Sequence, residues 1–185
     1  MELDGYHICN HTYDHTRWYD DYEGQEMFTL AEIEEDLIKS IRVLDELGFI
    51  DASRFLVYPG SSYTREGVPR IARKWTDLAC TVASGNNDPR NNVREYLYRV
   101  PINAASHNDV SYYADQLSEL EQAGNNWIIY YGHSKTYSDT TPEWTQSLFE
   151  GVMQNAIDNG YTVMTLNEAW KYRKAMYDVL SAYGV

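Results

Sequence analysis

Cysteine is scarce in this 185-residue chain, with only Cys9 and Cys80 present. Neither has a CxxC partner and both stand in apolar, strand-like segments, so a framework of several disulfides is excluded. The pair reads as two buried thiols, with a single disulfide or a metal contact as the alternative, and leaves the redox compartment open. Basic charge is scarce too. Lys and Arg total 15 against 28 Asp and Glu, a net charge of −13, which argues against a nucleic-acid or anionic-membrane partner and for a neutral or cationic one. No apolar run approaches the roughly 18 residues of a membrane span. Met1-Glu2-Leu3-Asp4 is not the basic start of a signal peptide. Internal repeats, low-complexity tracts and linkers are lacking.

What is present suits one ordinary domain over residues 1–185, since 43% apolar side chains provide a real core. Aromatic rings are plentiful, with 17 Tyr and 5 Trp. They serve either as platforms for sugar faces or as packing.

Short apolar segments alternate with helical patterns along the chain, the rhythm of βα units around a mainly parallel sheet, so the expected fold class is α/β. Strands are expected at Tyr6–Cys9, Arg54–Val57, Leu78–Val82, Tyr96–Ile102, Trp127–Tyr131 and Tyr161–Met164. Thr29 and Glu32 form a capping-box pattern ahead of Ile33, Leu37, Ile41 and Leu44, and Gly48 stands at the C-cap. Thr141-Pro142 predicts a helix start and Gly160 its end, while Thr165 and Glu168 repeat the capping box before a last helix to about Ala182. A further helix is expected near Val110 to Ala123. The run Glu32 to Asp36 reads as a solvated helix face.

In parallel α/β folds, functional groups gather in loops at the carboxyl ends of strands. After the first expected strand come His11 and His15, four residues apart. A helical turn over residues 12 to 15 would put both imidazoles on one face, close enough to share a metal ion. Thr12 between them is placed to bond the second imidazole or a nearby carbonyl. After the second strand comes Tyr58-Pro59-Gly60, a turn signal. The strand Trp127–Tyr131 delivers His133 at its carboxyl end. Arg99 is the charged residue of an otherwise apolar strand. His7, His107 and Asp14 read as structural.

The run Gly5-Tyr6-His7-Ile8-Cys9-Asn10-His11-Thr12-Tyr13-Asp14-His15 resembles the second motif of the polysaccharide deacetylases, the NodB-homology carbohydrate esterases of family 4 type. In that family a His-Ser/Thr-x-x-His pattern binds the catalytic metal. Phe55-Leu56-Val57-Tyr58-Pro59-Gly60 is similar to the family's third motif in its Tyr-Pro variant. Trp127–His133 is similar to its last, an apolar strand ending in His. The resemblance spans nearly the whole chain.

It implies an incomplete or distorted (β/α) barrel and the metal-dependent hydrolysis of N- or O-acetyl groups on a polysaccharide or oligosaccharide. His11 and His15 would hold a divalent ion, zinc first and cobalt or nickel as alternates. A backbone N–H at Gly60 would help form the oxyanion hole, with Tyr58, Pro59 and Tyr131 lining the substrate mouth. His133 would be the general acid and Arg99 its support. An extracellular or cell-surface setting follows from such a substrate. The family's Asp-Asp motif, source of its general base and third metal ligand, has no counterpart among the ten residues before His11. The expectation is therefore a domain lacking its first strand or strands, completed by an N-terminal segment or a second copy. The alternative reading is an inactive, carbohydrate-binding relative.

Overall fold

A computed structural model describes residues 7–18, 28–60, 62–81, 83, 87, 97, 100–101, 109–122, 127–132 and 145–182. The chain divides into two compact units, Met1–Ala83 with Asn92–Tyr98, and Ser84–Asn91 with Arg99–Val185.

The first unit is built on parallel pairing in sequence order. Strand β1 (Phe55–Val57) pairs with β2 (Leu78–Cys80), Leu56 opposite Ala79. Asn10 bridges Leu56 on one side and Leu97 bridges Cys80 on the other, both in parallel. All three residues of β2 are buried, as expected of a strand enclosed on both faces. Helix α1 (Leu30–Glu46) and the single turn α2 (Ile50–Ser53) lie between Asn10 and β1, and α3 (Val68–Trp75) lies between β1 and β2. These connections supply the length that parallel neighbours require.

Helix α1 forms as its punctuation predicts. Thr29 accepts from the Glu32 amide while the Glu32 carboxylate accepts from the Thr29 amide at 2.8 Å. At its other end Gly48 N–H donates to Asp45 O and Phe49 N–H to Leu44 O, which closes the helix in a Schellman arrangement. Ile33, Leu37 and Ile41 repeat every four residues and pack in one core with Trp18, Leu56, Tyr58, Val68, Ile71, Ala72 and Ala79. Full burial of side chains this size is worth roughly 1.5 to 3 kcal/mol each. Helix α3 lies in a stretch with no sequence expectation; Pro69 stands in its first turn, where the missing N–H costs nothing.

The second unit contains β3 (Val100–Pro101) paired in parallel with β4 (Tyr130–Tyr131), and the helices α4 (Val110–Gln122), α5 (Gln146–Asp158) and α6 (Leu166–Ala182). Tyr113 of α4 packs with Leu148 and Val152 of α5. The Thr165–Glu168 capping box is present, with Glu168 N–H donating to Thr165 Oγ1 and the Glu168 carboxylate accepting from Thr165 N–H. Gly160 ends α5 as expected, its N–H donating to Ile157 O. Thr145 is the observed N-cap of α5, while Thr141 and Pro142 lie outside the described residues.

Three expectations are corrected. Tyr161–Met164 joins no ladder; Gly160 and the Thr165 cap leave it as a short connection, and Val163 and Met164 are exposed. Of the first expected strand, Tyr6–Cys9, the described residues 7–9 join no ladder, and the parallel bridge to Leu56 is made by the next residue, Asn10. The acidic run is not uniformly solvated, because Asp36 is only 3% exposed. Among the described residues, no helix is long and apolar enough to cross a membrane.

Candidate functional site

Asn10 is the residue from which the site grows. Its backbone joins the sheet, N–H donating to Phe55 O and C=O accepting from Val57 N–H, each at 2.8 Å. Its side chain is 1% exposed. There Nδ2 donates to Ser53 O, and Oδ1 accepts from Thr12 N–H at 2.8 Å and from Ser40 Oγ at 2.8 Å. The bond to Thr12 N–H, two residues on, is an Asx turn, which swings the chain out of the sheet. Thr12 follows with φ +71°, a left-handed conformation found at no other non-glycine among the described residues. Such a conformation costs of order 1 to 3 kcal/mol and persists only where neighbours enforce it.

This turn brings the two imidazoles together by a different route from the expected helical one. His11 stands at the sheet's edge and His15 opens a 3-10 turn over His15–Trp18. Their ring centroids are 4.9 Å apart at an interplanar angle of 64°. His11 Nδ1 lies 2.7 Å from Val57 O. A carbonyl can only accept, so Nδ1 carries the proton and the Nε2 lone pair is left for a Lewis acid, the orientation usual for metal-ligating histidine. The Thr12 hydroxyl does not take the expected partner. Its Oγ1 is buried without a hydrogen bond.

The charge state of His15 is set by three influences. Burial, and then the neighbouring His11 ring, hold its imidazole below the usual value of 6.5, while Asp14 pulls the other way. A lowered value favours the neutral, ligating form near pH 7. Because the unfolded chain then binds more protons, stability is complete above about pH 6.5 and declines as pH falls toward the folded-state value, below which it levels off. The urea midpoint is expected to drop between pH 7 and 5, and His15→Gln to flatten part of that drop. An unchanged slope in the variant would show that His15 titrates alike in both states.

The loop that carries the pair rests on α1. Asp36 Oδ1 accepts from Asp14 N–H at 2.9 Å, and Oδ2 from Tyr13 N–H at 3.2 Å and Trp18 Nε1–H at 2.8 Å. Lys39 Nζ sits 3.7 Å from the centre of the Tyr13 ring. Asn10, Asp36 and Ser40 were not among the residues expected at the site. Their signal is in the periodicity: 36 and 40 fall within the apolar stripe of Ile33, Leu37 and Ile41, and a polar residue there is buried and needs a partner.

Beyond β1, Tyr58 is fully buried and its ring packs against Trp18 and Tyr63, with centroids 6.4 and 6.0 Å away. Pro59 is fully buried as well. Gly60 follows with φ +51°, a turn in which the lack of a Cβ leaves the main chain open to close approach. So His11, His15 and the Tyr58-Pro59-Gly60 turn share the carboxyl end of the first unit's strands. Tyr131, half-buried, ends β4 in the second unit. Burial pushes the neighbouring Tyr130 hydroxyl up to about 12, so it stays protonated. Arg99 and His133 lie outside the described residues.

The residues present suit a divalent ion in donor type, two imidazoles with one ring nitrogen already oriented. Among the described residues no third His, Cys, Asp or Glu joins them. Comparison of the chain with protein-family models, with curated proteins and with solved structures gives no match.

Proposed function

We propose that this chain is a metal-dependent deacetylase acting on N- or O-acetyl groups of a polysaccharide, on an α/β scaffold of the incomplete (β/α) barrel type. The observation that carries the reading is the His11–His15 pair, 4.9 Å apart with His11 Nδ1 bound to Val57 O. The sequential parallel pairing of Asn10, β1, β2 and Leu97 supports the scaffold. His11 and His15 would hold the ion, with water in at least two of its positions and a carboxylate ligand supplied by a complementing segment or a second copy. When bound, a divalent ion, zinc by preference with cobalt or nickel as alternates, polarises the acetyl carbonyl and makes water more acidic. The Gly60 backbone N–H donates to the developing oxyanion. His133 gives a proton to the departing amine or hydroxyl, Arg99 supports it, and Tyr131 lines the substrate mouth.

A second reading, a carbohydrate-binding module without catalysis, is favoured by the two-residue ligand set. One paired experiment separates them: calorimetric titration with zinc or cobalt, and acetate release from an acetylated chito-oligosaccharide. For the deacetylase, His11→Ala and His15→Ala abolish metal uptake and release. His133→Ala leaves uptake intact and slows release by about 10² to 10⁴-fold, the usual contribution of general acid–base catalysis. Sugar binding indifferent to chelator and to all three substitutions would establish the module instead.

A further inference from the structure

We infer that Asp36 and Ser40, one turn apart on α1, are positioning residues that fix the distance and orientation of the His11–His15 pair. The inference rests on the metal-binding reading of that pair and goes beyond it by assigning the device that sets its geometry.

Every turn of the chain between the two imidazoles is held from this helix. Ser40 Oγ donates to Asn10 Oδ1, the same oxygen that accepts from Thr12 N–H and so holds the left-handed turn just after His11. Asp36 takes over at the next residues, accepting from Tyr13 N–H and Asp14 N–H, the two amides that immediately precede His15. It then accepts from the indole N–H of Trp18, the last residue of the turn that His15 begins. The carboxylate thus grips the chain on both sides of His15, while the hydroxyl holds the Asn10 side chain, which in turn holds the Thr12 amide just after His11. Lys39, between them in sequence, lies over the Tyr13 ring.

The chemistry of the two residues fits this task better than a role in packing alone. Asp36 is 3% exposed and Ser40 6% exposed within an otherwise apolar stripe, where leucine or alanine would be cheaper to bury. An ionised carboxylate is an acceptor only and can take several N–H donors at fixed angles. An amide in its place would turn two N–H groups toward other N–H groups. A helix is also a rigid base. Groups displayed one turn apart on it keep a fixed spacing, whereas the loop they hold contains the left-handed Thr12 and would relax without them.

The test uses the full chain with cobalt(II) as probe, its visible absorption band reporting ligand geometry, and in parallel the cross-relaxation between His11 and His15 ring protons in metal-free protein. The variants are Asp36→Asn, the milder Ser40→Ala, and Glu35→Gln as a control that removes one negative charge from the exposed side of the same helix. Only protein shown to be folded by its far-ultraviolet dichroism is titrated. Asp36→Asn is expected to bind cobalt about 10- to 100-fold more weakly, in the range known for residues that orient ligands, with a shifted band and lost ring-to-ring cross-relaxation. Ser40→Ala should move in the same direction by a smaller factor, and Glu35→Gln should match the wild type. Wild-type affinity, band and cross-relaxation in Asp36→Asn and Ser40→Ala would overturn the inference; if Asp36→Asn does not fold, Ser40→Ala alone decides it. Should wild-type protein bind no cobalt through His11, the metal reading falls. The cross-relaxation then decides the positioning role by itself, persistence in the variants refuting it and loss upholding it.

Discussion

Replacing Trp18 with alanine is expected to lower the unfolding free energy by about 3 to 5 kcal/mol, the usual cost of removing a large buried ring. Trp18 is 0% exposed and belongs to the same core as Ile33, Leu37, Ile41 and Tyr58, so its deletion leaves a void that rigid neighbours cannot close. It also removes one of the three donors to Asp36. Trp18→Phe separates the two effects. It keeps most of the apolar volume and loses the indole N–H, for an expected cost nearer 1 to 2 kcal/mol. Urea unfolding of both variants measures the difference; equal costs would mean that the hydrogen bond, not the ring's volume, dominates. Since whole domains are stable by only about 5 to 15 kcal/mol, the alanine variant approaches the limit of folding.

The second large effect is expected from Asp36→Ala, at about 3 to 5 kcal/mol, because it deprives three N–H donors of a buried acceptor at once. Its size distinguishes two views of this carboxylate. On a solvated helix face the same substitution would change stability by less than about 0.5 kcal/mol. A double-mutant cycle sharpens the result. Asp36→Ala in a Trp18→Phe background should cost at least about 1 kcal/mol less than in the native background, since one of the three bonds is already gone. Strict additivity would show that the bond at 2.8 Å between Trp18 Nε1 and Asp36 Oδ2 contributes nothing to stability.

Both predictions concern residues whose importance is only half visible in the sequence. Helix α1 was fully legible, because its start and stop are local: a capping box at Thr29 and Glu32, a glycine at 48 and an apolar repeat at 33, 37 and 41 all act within a few residues of one another. Asp36 differs: its neighbours Glu32, Glu34 and Glu35 suggest a charged surface, whereas its burial depends on a loop arriving from residues 13 to 18. The Tyr161–Met164 segment shows the opposite failure. Its letters suit a strand, but a strand exists only where a partner edge is available, and edges are not local.

The histidine pair divides in the same way. The four-residue spacing of His11 and His15, and their place just after an apolar segment, are properties of the sequence, and so are the chemical types that suit a divalent ion. So too are the acidic balance, the lack of a membrane-spanning run and the alternation of strand and helix. Tertiary structure decided how the rings meet: by an Asx turn from Asn10 and a left-handed Thr12 rather than by a helical turn. It also decided which nitrogen is protonated, since Val57 O belongs to a strand 46 residues away. The physical reason is range. Caps, turns and periodicity are fixed by interactions over three or four residues, whereas a ring's tautomer and a carboxylate's burial depend on what long-range packing brings against them.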